Sequence, residues 1–299
     1  MTLATETAAG ATPRRRSALL KRWPTLGRLL RHRAFLAGAI LFGFVLLVAV
    51  FADLIATSDP TKLSVRDRFK PPSLEHPFGT DNVGRSQLSR IVYGARVSLM
   101  IGFAVVLLNA VFGVLLGAAA GYFRRLDNTL MRFADALMAF PAVLLAIAIA
   151  AALGPSSMTA AIALSAVYIP RTARIVRASV LVVREMEYVQ AARAMGASNA
   201  RIIFKHVLPN CLAPLIVQLT FIFAYAVLTE AVLSYLGLGA APPTPTWGNI
   251  IAEGRDYIRE AAWITLIPGM FVATTVLGLN LLGDGLRDVL DPRLKVMQG

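Results

Sequence analysis

Residues able to carry covalent chemistry are few and scattered. The 299-residue chain has one cysteine, Cys211, and three histidines, His32, His76 and His206. A single cysteine closes no internal disulfide. The histidines lie far apart and form no HxxxH pair, so no metal site is expected. No Gly-Lys dipeptide occurs, which excludes the phosphate-cradling GxxxxGK[ST] loop. GxSxG, HExxH and paired catalytic carboxylates are also missing, so the chain does not read as an enzyme. The one strongly patterned polar segment is EYVQAARAMGASNARIIFKHVLPN, residues 187–210. Tyr188, Ala191, Ala192 and Met195 fall at i, i+3, i+4 and i+7, one face of a helix. Glu187, Gln190 and Arg193 lie opposite. Gly196 suits the left-handed position that ends a helix, and Ser198 can cap a second one. Ile202, Ile203 and Val207 give that helix its apolar residues, and Pro209 is expected to break it. The chemistry of such a helix–turn–helix is contact: a helix laid in the groove of another protein. The competing reading is a loop lying on lipid.

The elements around this segment set its surroundings. The chain is 57% hydrophobic and 16% charged, where soluble chains are nearer about a quarter charged. Residues 34–52, 97–123, 136–170, 207–229 and 261–283 contain no Asp, Glu, Lys or Arg. About 20 apolar residues cross a bilayer as a helix, and helix is the default because lipid offers backbone groups no partners. The expected fold is an all-α integral membrane protein with six spans, at about 35–55, 98–122, 133–153, 158–178, 211–236 and 262–284. The long run 136–170 is divided at Gly154-Pro155-Ser156-Ser157, a turn signal. Arg171, Arg174 and Arg177 fall inside the fourth span and can snorkel toward the inner headgroups; a re-entrant segment is the alternative there. The first span follows a polar and then basic stretch with no cleavage pattern, and reads as retained. Lys and Arg concentrate before the first span and around residues 171–205, which places both termini and the 187–210 loop in the cytoplasm. The net charge of +13 then belongs to membrane flanks and lipid contact rather than to nucleic acid.

This layout divides the chain into a cytoplasmic segment 1–34, a first span 35–55, an extracytoplasmic loop 56–97, a membrane domain 98–285 and a cytoplasmic tail 286–299. Residues 22–33 (RWPTLGRLLRHR) place Trp23, Leu26 and Leu30 on one face of a basic helix able to lie on the anionic leaflet. Leu88, Ile91, Val92, Ala95 and Leu99 follow helical spacing into the second span. Ile250, Ile251, Tyr257 and Ile258 suggest another helix after PPTPTWG. Trp247 and Trp263 sit where interfacial Trp is favoured. Glu230 is the deepest acid. It is either the one candidate substrate contact or a hydrogen-bonded helix–helix contact.

QAARAMGASNARIIFKHVLP resembles the EAA loop of ABC importer permeases, written EAA, three residues, G, nine residues, I, one residue, LP. Gln190 stands for the Glu; Ala191, Ala192 and Gly196 match; His206 takes the Ile position; Leu208 and Pro209 match. RHRAFLAGAILFGFVLLVAVFADLIA, HPFGTDNVGRSQLSRIVYGARVSL, LSYLGLGAAPPTPTWGNII and NLLGDGLRDVLDPRLK resemble further signatures of the dipeptide, oligopeptide and nickel importer permeases, the dipeptide "C" type in particular. The resemblance implies the six-helix type I importer fold in a bacterial inner membrane, and import of dipeptides or oligopeptides. Nickel chelates and glutathione are alternatives within the family, and a secondary transporter is the reading from outside it. It implies a homologous permease partner, two ABC ATPase subunits that bind ATP and Mg, and an extracytoplasmic substrate-binding protein. Ala191, Ala192 and Gly196 would give close contact and the turn on the ATPase. Glu187, Arg193 and Arg201 are expected as polar contacts from their exposure, not from the resemblance, and Tyr188, Gln190, Met195 and Pro209 complete the expected coupling set.

Overall fold

The structure, a computed structural model, describes residues 24–290. Trp23 of the expected N-terminal helix and the tail from 291 onward lie outside the described residues. In chain order the helices are α1 (Pro24–Leu29), α2 (Arg33–Val50), α3 (Gln87–Leu108), α4 (Val114–Tyr122), α5 (Arg124–Met138), α6 (Ala142–Leu153), α7 (Ser157–Val183), α8 (Glu187–Ala194), α9 (Asn199–Arg201), α10 (Leu212–Tyr235), α11 (Trp247–Gly254) and α12 (Trp263–Leu290), with single turns between some of them. Among the described residues the only strand-like pairing is one isolated bridge, Thr80 with Ser86.

Among the described residues, four helical runs are long and apolar enough to cross a membrane: Arg33–Val50, Gln87–Tyr122, Asn199–Tyr235 and Trp263–Leu290. Counting the bent pair α5–α6 as one span gives five. The remaining helix, α7, has 27 residues, but Arg171, Arg174 and Arg177 lower its apolar character. The expected straight span 133–153 is corrected. The chain bends by 90° between Met138 and Ala142, where Pro141 cannot continue the α5 hydrogen-bond ladder. Residues before the bend belong to α5, which carries Arg124, Arg125, Asp127, Arg132 and Asp135 on its polar side. Residues after it form only the 12 of α6, a rod of about 18 Å, too short for a bilayer core of about 30 Å.

Small residues set the spacing of the bundle. Gly113, Gly117 and Gly121 recur every four residues and face α7. A Cβ on Gly117 would stand 2.5 Å from the Ala173 carbonyl oxygen, so only glycine permits this approach. Between α3 and α4 the chain takes a π-helical turn, Asn109–Gly113. The buried Asn109 ties that turn to both neighbours: its Nδ2 donates to the Val105 carbonyl at 2.9 Å, and its Oδ1 accepts from Thr172 Oγ1 at 3.1 Å. α2 packs along α12 at Gly38, Gly278 and Gly285. His32 caps α2 by accepting from the Phe35 amide and lies 3.2 Å from Asp288.

At the end remote from residues 187–210, the segment 56–86 folds onto α3, α11 and the start of α12. The helical face over Ile91, Val92, Ala95 and Leu99 is buried there, as its spacing predicts. Of the four residues expected to line one face near α11, Ile250 is buried and Ile258 is half exposed. Trp247 is fully buried rather than interfacial, and its Nε1 donates to the Ile91 carbonyl at 3.2 Å. Trp263 Nε1 donates to the Thr80 carbonyl at 3.1 Å. A buried charge cluster holds this end together. Arg90 donates to Asp81 at 2.9 Å and to both Glu253 oxygens at 2.8 and 3.0 Å, while Arg85 bonds the same two acids. Each carboxylate meets two guanidinium groups, the condition for keeping charge out of water at tolerable cost.

Glu230 is fully buried in α10. Its Oε1 accepts from Ser234 Oγ at 2.6 Å, one turn along the same helix.

Candidate functional site

The 187–210 segment is built into the bundle, not draped over it. α7 ends at Val183, three residues turn the chain, and α8 begins at Glu187. One side of α8 points inward. Val189 (0% exposed) joins a core of Val176, Val180 and Val183 from α7 with Ile202, Val207 and Cys211 from the returning helical arm, and Ala192 is buried on the same side. The other side faces out: Tyr188 is 45% exposed, Met195 83%, and Ala191 is exposed as well. The face expected from spacing is therefore divided. Ala192 turns in, and Tyr188, Ala191 and Met195 remain free. Sequence reasoning missed Val189, although its i, i+3 relation to Ala192 was readable.

Gly196 ends α8 as expected. Its φ is +78°, its amide donates to the Arg193 carbonyl at 3.0 Å, and the Ala197 amide donates to the Ala192 carbonyl at 3.1 Å. This pair of bonds is the Schellman closure, which needs a left-handed residue at its centre. Ser198 then caps the second helix, its Oγ accepting from the Arg201 amide at 3.4 Å. Pro209 does not break that helix. It lies in a 3₁₀ turn, Leu208–Cys211, that follows a π turn, Ile202–Val207, and leads directly into α10. Looser and tighter turns in succession absorb the missing donor of Pro209, and Asn210 Nδ2 donates to the His206 carbonyl at 2.7 Å. Residues 199–235 thus form one continuous run from the loop into the bundle.

The polar residues divide by role. Gln190 Nε2 donates to the Arg184 carbonyl at 3.1 Å, bracing the turn between α7 and α8. A carboxylate at this position accepts hydrogen bonds only and could not make that contact. Arg184 donates to the Gly121 carbonyl at 2.6 Å. Tyr122 donates to Asn199 Oδ1 at 2.8 Å, and the Arg193 guanidinium stands 5.9 Å from the Tyr122 ring centre. The end of α4 therefore grips both arms of the loop. Glu187, Arg193 and Arg201 remain exposed around the apolar residues, joined by Phe204 at 66% exposure. Alongside, α5 is fastened to α7 by Arg177 on Asp127 at 2.7 Å and by Arg174 on Asp135. The Arg177 bond holds the Asp127 carboxyl below the usual carboxylate range.

The arrangement offers an apolar surface with a charged rim, carried on an element fixed to two long helices. Force applied to α8 reaches α7 through Val176, Val180 and Val183, and reaches α10 through the unbroken run from Asn199.

Comparison with known proteins agrees with this geometry. The family described as binding-protein-dependent transport system inner membrane component matches residues 111–296, and the N-terminal TM domain of oligopeptide transport permease C matches residues 24–72. A putative peptide transport system permease protein of Brucella abortus biovar 1 (strain 9-941) is 58% identical over 272 residues, 91% of this chain and 92% of that protein. The dipeptide transport system permease protein DppC of Alkalihalophilus pseudofirmus is 46% identical, over 90% of this chain and 88% of its own length. Among solved structures, an amino acid ABC transporter with histidines aligns at a TM-score of 0.51 and 14% identity, covering 65% of this chain and 91% of that one, a likeness of fold. With a family match that spans most of the chain, an exposed face on a loop joined to two long helices and several apolar spans, this chain belongs to the family of binding-protein-dependent transport system inner membrane components.

Proposed function

We propose that this chain is a permease subunit of an ATP-driven importer that carries dipeptides and oligopeptides across the bacterial inner membrane. The observation that carries the reading is the free face of Tyr188, Ala191 and Met195 on a helix whose opposite side is locked into the α7–α10 core. Such a face fits a groove on an ABC ATPase subunit, which would bind ATP and Mg and drive the movement. A second, homologous permease would complete the pathway, and an extracytoplasmic binding protein would deliver substrate at the end occupied by residues 56–86 and α11. In this orientation both termini face the cytoplasm, and Arg171, Arg174 and Arg177 lie toward the inner half of the membrane. The peptide reading is supported by the names of relatives 41–58% identical over most of the chain, which specify peptides, dipeptides or D,D-dipeptides. Nickel chelates and glutathione have no such support.

The test is reconstitution of the complete complex in proteoliposomes with its binding protein. ATP-dependent uptake of labelled dipeptide is the expected result. Transport by this chain alone, driven by an ion gradient, would refute the assignment.

A further inference from the structure

Three arginines line successive turns of α7, and they are not equivalent. Arg174 bonds Asp135 and Arg177 bonds Asp127, both on α5. Arg171, one turn deeper, is exposed and has no hydrogen bond or ion pair among the described residues. It stands midway along the 27-residue helix that the sequence reading takes as the fourth span. An unpaired cation at that depth is costly against lipid, and such residues face a watery route or a charged partner.

The surroundings of Arg171 identify which. Arg171 and Tyr168 line a cavity of about 170 Å³ at the 90° bend between α5 and α6, with apolar walls from Met138, Phe140, Ala142 and Val167. Residues 171, 175, 178 and 182 recur along one stripe of α7. Below Arg171 that stripe lines a second groove of about 690 Å³ between α7, α10 and α12, where Ser179, Asn210 and Gln218 offer hydrogen-bonding groups. Arg171 thus lies one turn from the second groove, on the same stripe of α7. A small chamber of mixed polarity with one cation and one phenol has the composition of a site for a small carboxylated ligand.

We propose that Arg171 binds the carboxylate of the peptide in transit, with the chamber beside Tyr168 accepting the adjoining side chain. This inference rests on the peptide-import reading and adds a substrate-contacting residue to it. Glu230, buried in α10 and bonded to Ser234, lines neither cavity and is given no such contact.

The experiment uses the whole reconstituted complex and compares Arg171→Lys, Arg171→Gln and Arg171→Cys, with peptide uptake, basal ATP hydrolysis and co-purified subunits all quantified. Arg171→Lys should retain most uptake. Arg171→Gln and Arg171→Cys should lose uptake by roughly ten- to a hundred-fold, the range for a lost charge-assisted bond, with the partner subunits still co-purified. Aminoethyl methanethiosulfonate, which restores a cation on the introduced thiol of the Arg171→Cys variant, should recover uptake, and the sulfonatoethyl reagent should not. The wild-type complex is the reagent control, because Cys211 is buried. Uptake by Arg171→Gln within about twofold of wild type would overturn the proposal, as would equal rescue by both reagents. Loss of the second permease from the Arg171→Gln complex would also overturn it, by assigning Arg171 to an ion pair between subunits. If the wild-type complex imports no peptide, the peptide reading fails first and takes this inference with it.

Discussion

Substitutions at Gly196 separate backbone conformation from crowding. The residue has φ +78°, and a Cβ added there meets nothing within 4 Å. Any penalty therefore comes from forcing an L-residue into the left-handed region. For alanine this is about 1–2 kcal/mol, which reduces the population of the closed turn roughly 5- to 30-fold against competing conformers. Asparagine tolerates the region better, and a β-branched residue is a true outlier in it. The turn fixes the angle between α8 and the return helix, so its population limits how often Tyr188, Ala191 and Met195 are presented together. Uptake per membrane-inserted complex should fall in the order Gly, Asn, Ala, Val, with Gly196→Val near background. Membrane levels should stay similar, because no core residue is displaced. The assay is labelled-peptide uptake normalised to immunoblotted permease, with co-purified ATPase measured in parallel. If Gly196→Val imports at the wild-type rate, or if Asn is worse than Val, the left-handed turn is not what the segment requires of Gly196.

Other substitutions test the supports around that turn. Gln190→Glu removes the amide bond to the Arg184 carbonyl and adds charge beside Glu185 and Glu187; a cost of about 1 kcal/mol should appear as faster proteolysis between residues 184 and 190. Gly117→Val places atoms against the Ala173 carbonyl, where even a Cβ would lie at 2.5 Å; overpacking of about 1–3 kcal/mol or more should lower the amount of folded protein in the membrane, read by detergent thermal unfolding. Asp127 has its carboxyl lowered by Arg177, so its stabilising bond is fully present above the ordinary carboxylate range and is lost as pH falls through the lowered value. Protection of α5 from protease should weaken under acid in wild type, and Asp127→Asn should show weak protection already at neutral pH.

Much of this architecture was legible because lipid enforces it. Charge-free runs became helices, and Gly196 and Ser198 served as a helix stop and a cap because their chemistry is local. The errors arose where local chemistry and long-range packing diverge. The run from Ala136 to Pro170 carries no charge, so hydropathy alone hid the 90° bend before Pro141, although the polar pattern of Asp127, Arg132 and Asp135 belongs to a helix lying across the bundle. Pro209 was read as a break because proline removes a donor, yet a π turn and a 3₁₀ turn let the helical run pass through it. Trp247 matched the interfacial preference of tryptophan but filled the core, its ring N–H satisfied by the Ile91 carbonyl. Val189 was overlooked because the more visible stripe of Tyr188, Ala191 and Met195 belongs to the exposed side, where Tyr188 meets only the His206 ring.

The same helix, α7, carries both ends of the proposed mechanism. Val183 belongs to the core that seats α8 and also lines the groove between α7, α10 and α12. α10 forms the facing wall of that groove and is continuous with the second arm of the loop. A displacement of α8 cannot be absorbed by a slack linker on either side, because one arm is packed through Val176, Val180 and Val183 and the other is helical without interruption. Close-packed cores transmit such shifts instead of dissipating them. Opposing the movement, α5 is ion-paired to α7 at Asp127 and Asp135, and the glycine stripe of α4 holds α7 along its length. The unit joined to the loop is therefore larger than the loop itself: α4, α5 and α7 are tied to α8, and α10 is tied to the returning arm.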